Sequence, residues 1–496
     1  MFFTLDKDDI KVNESEEFSK LCLTLIKKEA DKINKPIKFY NYKNQDFTSS
    51  ILNSLHLDIA DTSLIKSIDF DAILPSGLYD ERYTIVQIKY VKESLSPIRK
   101  CIDDYNRIIN DSFFNFGIKK PKLLIVSNIE NIPFDLLFPL KNNNIELLKI
   151  DDLLAKDKSY FFEYLSLFNY LYYASNSSTA KSAINKYDKQ ITDQNVEASS
   201  EESIKDILTA IKETGISLIL GTGVSLPYNK DLTWGNLVDK LYQKIPETEK
   251  FKNEKNSFEV LGEDYGTKSE FSKYMLKEKY GRILFKLLYP NVDAYKKGNS
   301  TLDMCADLIA SNTINKHRPV KKVVTYNYDN FLEKALEARS CKYNVLSNEE
   351  QYINDLVPII HVHGYCPEEM PAKKLQEAID GLVLTEKDYF NCYTDLSNWR
   401  VSIQLETFKD DVCLFVGNSI KDFNEKRLLD RTKKVQKRNY AIIYSNNLDP
   451  TDLSKIYGYF KYQLNVIIIW AEKYDKIPEI LSNLKKDLEN KANDDY

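Results

Sequence analysis

The 496 residues predict an α/β protein with two domains, because two parts of the chain alternate strand-length apolar runs with helical patterns. In the C-terminal part these runs end in glycine or polar turns that lead into amphipathic helices, which is typical of a Rossmann-like parallel sheet. The mostly helical stretch 246–319 is predicted to cap that sheet. A polar, Ser/Asn-rich stretch separates the two patterns, so we predict α/β domains at 1–171 and 204–496 with a linker at 172–203.

The segment Thr325-Tyr-Asn-Tyr-Asp-Asn-Phe-Leu-Glu333 joins an apolar run to an amphipathic one. Asn327 and Asp329 therefore lie where a predicted strand passes into a helix. In open α/β sheets, ligands bind at the carboxyl ends of strands, beside helix N-termini. Both residues are thus candidates for ligand contact, although Asn and Asp also cap helices in this position.

A second turn follows the apolar run in Ser217-Leu-Ile-Leu-Gly-Thr-Gly-Val-Ser225. Glycines at 221 and 223 let the backbone approach a phosphate, and the amides that follow can surround its charge. The third glycine of the dinucleotide-binding fingerprint is missing, so this motif is weakly specific when taken alone.

A third turn ends the run Ile359-Ile-His-Val-His-Gly364, which holds two of the four histidines of the chain. His361 and His363 alternate on the predicted strand and so share a face. Such a pair usually indicates a metal site, or buried histidines whose ring nitrogens form hydrogen bonds within the core. The glycine after His363 and the two other turns favour a catalytic base at His363.

These three turns, in this order, resemble the sirtuin family, whose pattern has a glycine loop with serine, a T-x-N-x-D turn and a histidine-glycine. The segment Gly417-Asn-Ser-Ile-Lys-Asp-Phe-Asn424, after a strand at 412–416, is similar to the family's G-x-S-x-x-D-x-N segment near the adenosine ribose. The stretch Leu382–Tyr389 resembles the bacterial branch. The resemblance covers roughly 205 to 485 and implies a sirtuin-like Rossmann fold with NAD as the substrate.

The resemblance extends to a branch found in bacterial antiphage systems, whose members hydrolyse NAD. Breaking the nicotinamide–ribose bond builds oxocarbenium character on the ribose. Asn327 can hydrogen-bond a ribose hydroxyl or the attacking water, and His363, expected to titrate near neutrality, can accept a proton. Asp329 would orient its neighbours or the nicotinamide amide. The residues expected to bind NAD are Gly221, Thr222, Gly223 and Ser225 at the diphosphate, and Gly417, Ser419 and Asp422 on the adenosine side.

Departures from the deacylase pattern narrow the activity. Deacylating sirtuins hold a structural zinc with two C-x-x-C pairs, whereas none of the seven cysteines here forms such a pair, so no zinc is expected. The proline-aspartate-phenylalanine-arginine signature is also missing, which makes a groove for acetylated lysine peptides doubtful. Two alternatives remain: a sensor that binds NAD or ADP-ribose without turnover and gates a nuclease, and an ADP-ribosyl or deacyl transferase.

A candidate metal site lies in the N-terminal domain, on two predicted strands joined by a turn. Asp71 lies on the first strand (68–74), and Gln87 and Lys89 share a face of the second. A carboxylate, an amide oxygen and a cation suit Mg²⁺-assisted attack on a phosphodiester, with Asp71 as the metal ligand. The order of elements over roughly 15 to 150 resembles the restriction-endonuclease-like (PD-(D/E)XK) fold in its Q-x-K variant. A polar hairpin could produce the motif by chance, and an inactive version could still recognise DNA or a partner.

Composition fits a large intracellular enzyme. The net charge of −5 gives no chain-wide nucleic-acid footprint, although a local basic face is not excluded. The first residues lack a signal-peptide pattern and the run 466–471 is too short to span a bilayer, so we expect a cytoplasmic protein without membrane contact. Expected partners are NAD, DNA or a phage component as the trigger, a neighbouring defence protein, and a second copy of the chain. Because uncontrolled NAD loss kills the host, we expect slow turnover before triggering.

Overall fold

The structure is a computed structural model that describes residues 13–39, 70–113, 121–142, 144–291, 294–298, 300–311, 318–348, 356–395, 397–433 and 438–492. The chain forms two compact units, residues 1–199 and 200–496. The division falls within one helix, Asp193–Glu213, which also contains the predicted boundary at 203/204.

The N-terminal unit has a mixed five-stranded sheet in which the strands lie side by side in chain order. The first two pairings are antiparallel and the last two are parallel. The strands are β1 (Lys38–Phe39), β2 (Ala72–Leu74), β3 (Thr84–Lys89), β4 (Lys122–Ser127) and β5 (Ile145–Lys149). The described helices are α1 (Glu14–Lys32), α2 (Ser96–Phe113), α3 (Phe134–Asn142), α4 (Ile150–Leu154), α5 (Lys158–Ser175) and α6 (Ser178–Tyr187), followed by α7 (Asp193–Glu213) across the division.

The two predicted N-terminal strands are present in the structure. The second of them, with Gln87 and Lys89, corresponds to β3. β2 is shorter than the predicted run 68–74, of which 68 and 69 lie outside the described residues. One sheet face packs on α2 through apolar side chains that include Ile85, Ile98 and Ile125. The unit is α/β, and the restriction-endonuclease-like fold stays a prediction.

The stretch 172–203, predicted as a linker, is largely helical. It contains the end of α5, all of α6 and the first half of α7. The ring of Tyr187 on α6 lies edge-on to the rings of Phe161 and Tyr164 on α5, at 5.2 and 5.4 Å. A segment poor in large aliphatic residues therefore forms packed helices here, because one buried aromatic ring anchors α6.

The C-terminal unit has a seven-stranded sheet in the order β12-β11-β10-β6-β7-β9-β8, and every pairing is parallel. The strands are β6 (Ile216–Leu220), β7 (Val320–Thr325), β8 (Tyr343–Leu346), β9 (Val357–His361), β10 (Cys413–Val416), β11 (Asn439–Tyr444) and β12 (Val466–Ala471). The described helices are α8 (Trp234–Gln243), α9 (Glu254–Leu261), α10 (Tyr265–Leu276), α11 (Tyr280–Leu288), α12 (Thr301–Ile309), α13 (Phe331–Glu337), α14 (Leu375–Asp380), α15 (Glu386–Tyr393), α16 (Trp399–Asp410), α17 (Phe423–Thr432), α18 (Pro450–Gly458) and α19 (Ile477–Ala492).

The strand order reverses next to β6, the first strand of this sheet. From β6 the chain builds β7, β9 and β8 on one side and then β10, β11 and β12 on the other. Connections that diverge from two adjacent parallel strands leave a crevice at their carboxyl ends, where doubly wound sheets bind ligands. The predicted Rossmann-like sheet is confirmed, and β6 and β10 flank its crevice.

The predicted helical region lies between β6 and β7 and comprises α8 to α12. The ring of Trp234 on α8 is 5.8 Å from that of Tyr265 on α10 and 5.4 Å from that of Tyr389 on α15. These aromatic contacts join the helical layer to the segment that follows β9. In the described ranges no helix is long and apolar enough to cross a membrane.

Candidate active site

Two glycine turns approach each other where the strand order reverses. The Gly223 amide, after β6, donates to the Gly417 carbonyl, after β10, at 2.9 Å. A Cβ on Gly221 or Gly223 would lie 2.6 Å from that carbonyl oxygen, so neither position has room for a side chain. Gly417 itself has φ of +62°, a conformation that favours glycine. The glycines therefore allow the two turns to pack at the crevice.

The amides of the β6 turn are already used within the protein. Thr222–Val224 forms one 3₁₀ turn, and the amides of Gly223, Val224 and Ser225 donate to backbone carbonyls at 2.9 to 3.2 Å. A phosphate bound by these three amides would therefore have to replace their bonds to the carbonyls. The diphosphate contacts stay predictions for Gly221, Thr222, Gly223 and Ser225.

Asn327 is held by three hydrogen bonds that leave its amide oxygen unused. Its backbone N–H donates to Thr325 Oγ1 at 3.1 Å, and its Nδ2 donates to Ser225 Oγ at 3.0 Å. Its carbonyl lies 2.9 Å from Nδ1 of His361. Oδ1 of Asn327 is buried and has no hydrogen-bond partner among the described residues. Since an unsatisfied buried oxygen is costly, this atom marks a place for a donor from a ligand or water.

Asp329 is buried beside Ser225 and orients it. Oδ1 of Asp329 accepts from Ser225 Oγ at 3.1 Å and from the Phe331 amide at 3.1 Å. Burial raises the pKa of Asp329 from 3.8 to about 6, with the Phe331 amide lowering it and Glu333 raising it. Asp329 thus satisfies an amide at the start of α13, as the capping alternative expects, and also fixes the hydroxyl that holds Asn327.

His363 lies directly after β9, in an aromatic pocket. Its Nε2 is 3.0 Å from the Tyr393 hydroxyl, and its ring is edge-on to Tyr326 at 4.9 Å and to Tyr389 at 5.3 Å. Burial lowers the pKa of His363 from 6.5 to about 4, against an opposing effect of Asp422. The expectation of a pKa near neutrality is therefore wrong, because the rings keep water from the imidazolium. His363 is neutral at pH 7, as a general base must be.

The two histidines of this segment serve different partners and do not form a metal pair. His361 lies 2.8 Å from Glu333 Oε1 through Nε2, in addition to its contact with the Asn327 carbonyl. All seven cysteines are free thiols. Across the described parts of the chain no three His, Cys, Asp or Glu side chains cluster so as to hold a metal.

The turn after β10 leads into α17, where Glu425 is a second buried acid. Asp422 caps α17, since its Oδ1 accepts from the Asn424 amide at 2.7 Å, and Ser419 is exposed. Glu425 accepts from Asn418 Nδ2 at 2.6 Å and is buried. Burial raises the pKa of Glu425 from 4.5 to about 8, and Asp422 raises it further, so this carboxyl is protonated at pH 7. The adenosine contacts stay predictions for Gly417, Ser419 and Asp422.

Tertiary packing adds site residues that the motifs did not single out. Tyr393 lies four residues after Tyr389 on α15, and that spacing places both rings on the helix face beside His363. Glu333 is the last residue of the nine-residue segment that carries Asn327. Its hydrogen-bond partner, His361, lies at the end of β9 and is distant in the sequence. The residues that sequence reasoning missed are Glu333, Tyr326, Tyr393 and Glu425.

The N-terminal candidate residues lie near one another, and two of their oxygens accept hydrogen bonds within the protein. Asp71 comes directly before β2, and its backbone amide donates to the Val86 carbonyl on β3 at 2.9 Å, next to Gln87. Oδ2 of Asp71 accepts from the Ile88 amide at 2.7 Å, while Gln87 is buried and its Oε1 accepts from the Cys101 thiol. Lys89 is half-buried at the end of β3. In the part of the chain that the structure describes, no cluster of three His, Cys, Asp or Glu side chains forms here, so Mg²⁺ at Asp71 stays a prediction.

Part of the C-terminal unit is similar in sequence to a known protein family. Residues 321–468 match the SIR2-like domain. The matched part includes the turns after β7, β9 and β10, which carry Asn327, His363 and Asp422. The β6 turn with Gly221 and Gly223 precedes it. The match therefore agrees with the sirtuin resemblance of the second, third and fourth motifs.

Two curated relatives are similar to the chain. It is 24% identical over 307 residues to the NAD(+) hydrolase ThsA of Bacillus cereus (strain MSX-D12), which is 58% of this chain and 58% of that protein. It is 25% identical over 260 residues to Defense-associated sirtuin 2 of Bacillus subtilis, which is 51% of this chain and 22% of that protein. The chain thus spans less than two thirds of either relative. A solved structure from work on the mechanism and regulation of Sir2 enzymes has a TM-score of 0.32 and 14% identity, over 58% of this chain and 98% of that one.

Proposed function

We propose that the C-terminal unit hydrolyses NAD to nicotinamide and ADP-ribose. The observation that carries the proposal is the amide oxygen of Asn327, which is buried at the crevice and lacks a donor among the described residues. A ribose hydroxyl or a water molecule would supply that donor. The SIR2-like match over 321–468 and the likeness to a protein named as an NAD(+) hydrolase support the same substrate.

The neighbouring side chains can carry the chemistry of glycosidic cleavage. Loss of nicotinamide leaves positive charge on the ribose, and water must then be deprotonated as it attacks. His363 is neutral at pH 7 because burial lowers its pKa to about 4, so it is free to accept that proton. Asp329 fixes the Ser225 hydroxyl, which in turn orients the amide of Asn327.

Hydrolysis suits this site better than transfer to a protein or binding without turnover. Asn327, Asp329 and His363 are each no more than 5% exposed, so water reaches them more readily than a protein side chain does. A sensor would need the ribose contact but has no use for a neutral buried histidine beside it. The transferase and sensor alternatives therefore remain as outcomes of the test.

We further propose that NAD depletion serves antiphage defence. The likeness to Defense-associated sirtuin 2 supports this role. For the N-terminal unit we propose nucleic-acid sensing in preference to cutting, because Oδ2 of Asp71 and Oε1 of Gln87 already accept hydrogen bonds within the protein. The unit would then release the slow C-terminal enzyme when phage nucleic acid is present.

The deciding experiment measures nicotinamide and ADP-ribose released from NAD by the purified protein, with and without DNA or phage lysate, beside Asn327→Ala. We expect release that needs Asn327 and falls by about 10²–10⁴-fold in the variant. NAD bound without release, detected by calorimetry, would favour the sensor, and label retained on protein would favour the transferase. Rapid release by the protein alone would contradict the proposed trigger.

A further inference from the structure

The backbone of Asn327 is anchored by a buried pair of ionisable side chains. His361, at the end of β9, is 1% exposed, and Glu333, on α13, is 2% exposed. Nε2 of His361 lies 2.8 Å from Oε1 of Glu333, and its Nδ1 lies 2.9 Å from the carbonyl oxygen of Asn327. One imidazole ring thus connects the helix after β7 to the turn before that helix.

Hydrogen-bond chemistry places a proton on Nδ1 of His361 and leaves two arrangements for Nε2. A carbonyl oxygen only accepts, so Nδ1 of His361 carries a hydrogen and donates it to Asn327. Nε2 then either donates to the Glu333 carboxylate or accepts from its carboxylic acid. The pair has no net charge in both cases, which suits a site closed to water because a lone buried charge is far more costly.

We propose that His361, held by Glu333, is a positioning residue that fixes the Asn327 amide for NAD hydrolysis. This inference rests on the proposed function. The backbone N–H and Nδ2 of Asn327 are bonded to Thr325 and Ser225, and the His361 bond to its carbonyl completes the set. Without it the peptide group after Asn327 can rotate, and Oδ1 leaves the position that meets the reacting hydroxyl or water.

Two substitutions of His361 separate positioning from packing. In His361→Asn, the side chain is shorter, so its amide nitrogen lies near the former position of Nδ1 and can still donate to Asn327. In His361→Gln, the side chain is longer, so its amide nitrogen lies near the former position of Nε2. This variant keeps the contact with Glu333 and loses the bond to Asn327. Both variants retain a polar side chain in the core, and thermal melting shows the range in which each is folded.

The experiment measures kcat and KM for NAD, with nicotinamide release as the readout, in the full-length parent and both variants. We expect kcat of His361→Gln to fall about 10²-fold, as for a misplaced reacting group, and to lie at least about tenfold below that of His361→Asn. KM should change by less than about threefold, because the lost interaction acts on orientation at the reacting atoms. ADP-ribose affinity, measured by calorimetry, should likewise be retained.

Equal kcat in the two folded variants would overturn the positioning role, since packing alone would affect both alike. If His361→Asn melts below the assay temperature, Glu333→Gln takes its place, because the new amide can donate to Nε2 while Nδ1 keeps its bond to Asn327. A parent that leaves NAD intact under every condition overturns the proposed function and this inference together. An active parent with an equally active His361→Gln overturns the inference alone.

Discussion

The two sheets of this protein carry polar candidate residues whose described hydrogen-bond partners differ. In the C-terminal unit, Ser225, Asn327 and Asp329 join turns that follow β6 and β7, and one buried oxygen lacks a donor among the described residues. In the N-terminal unit, Asp71 and Gln87 lie near one another but bond to a backbone amide and a core thiol.

The comparison shows how much a short motif depends on its neighbours. An Asp beside a Q-x-K strand has the right residue types for a metal, yet each oxygen can be satisfied locally. At the other sheet the strand order forces several turns into one crevice, so polar atoms from distant segments must meet there. Ordered long-range motifs are therefore better evidence for a site than one short pattern.

The largest expected effect separates the two units by activity. His363→Ala should lower NAD hydrolysis by about 10²–10⁴-fold, because it removes the proposed general base. Asp71→Asn, which keeps an acceptor for the Ile88 amide, and Lys89→Ala should leave the basal rate of NAD loss within about twofold. The measurement is nicotinamide release, with DNA cleavage assayed in parallel for all three variants. DNA cleavage by the parent that disappears in Asp71→Asn would restore a nuclease role for the N-terminal unit.

A smaller effect should appear in the pH profile of the C-terminal site. The pKa of His363 is lowered to about 4, so its base form is present from about pH 5 upward. The pKa of Asp329 is raised to about 6, so its ionised form falls about tenfold per unit below pH 6. We expect kcat/KM to follow Asp329 on the acid side and Asp329→Asn to lose that limb. A limb near pH 6.5 that persists in Asp329→Asn would show that His363 titrates as an ordinary histidine.

The smallest expected effect is on stability. The folded-state pKa of Asp329 lies above its unfolded value, so its contribution is favourable below about pH 4 and is lost as pH rises through about 6. Asp329→Asn should therefore be more stable than the parent at pH 7.5, by on the order of 1–3 kcal/mol, and about equal at pH 4. Thermal melting at both pH values measures the difference.

The matched control is Asp411→Asn. Asp411 belongs to the same unit and lies two residues before β10. Lys321 and Lys322 pair with the Asp411 carboxylate at 2.8 and 3.2 Å, and its pKa is lowered. Its favourable contribution is present above the unfolded pKa, so the substitution should destabilise the protein at pH 7.5. The same sign of change in both variants would contradict the burial cost assigned to Asp329.

The sequence by itself determined the parallel sheet and the edge at which the candidate site residues meet. The strand-length apolar runs before Gly221, Asn327, His363 and Gly417 are separated by helical segments, and such crossover connections favour a parallel sheet. The carboxyl ends of such strands share one edge, so the motifs predicted their own convergence. The match of residues 321–468 to the SIR2-like domain agrees with that part of the sirtuin resemblance predicted for roughly 205 to 485.

Only the tertiary structure decided the electrostatics and the hydrogen-bond partners. The pKa of His363 depends on rings from α15 and the β7 turn, and the His361–Glu333 pair depends on packing between β9 and α13. Likewise, the engagement of Gln87 by Cys101 and the helices of 172–203 follow from contacts that neither composition nor spacing encodes locally. The physical reason is that desolvation and hydrogen-bond satisfaction are set by neighbours far away in the chain, whereas strand and turn formation is set by adjacent residues.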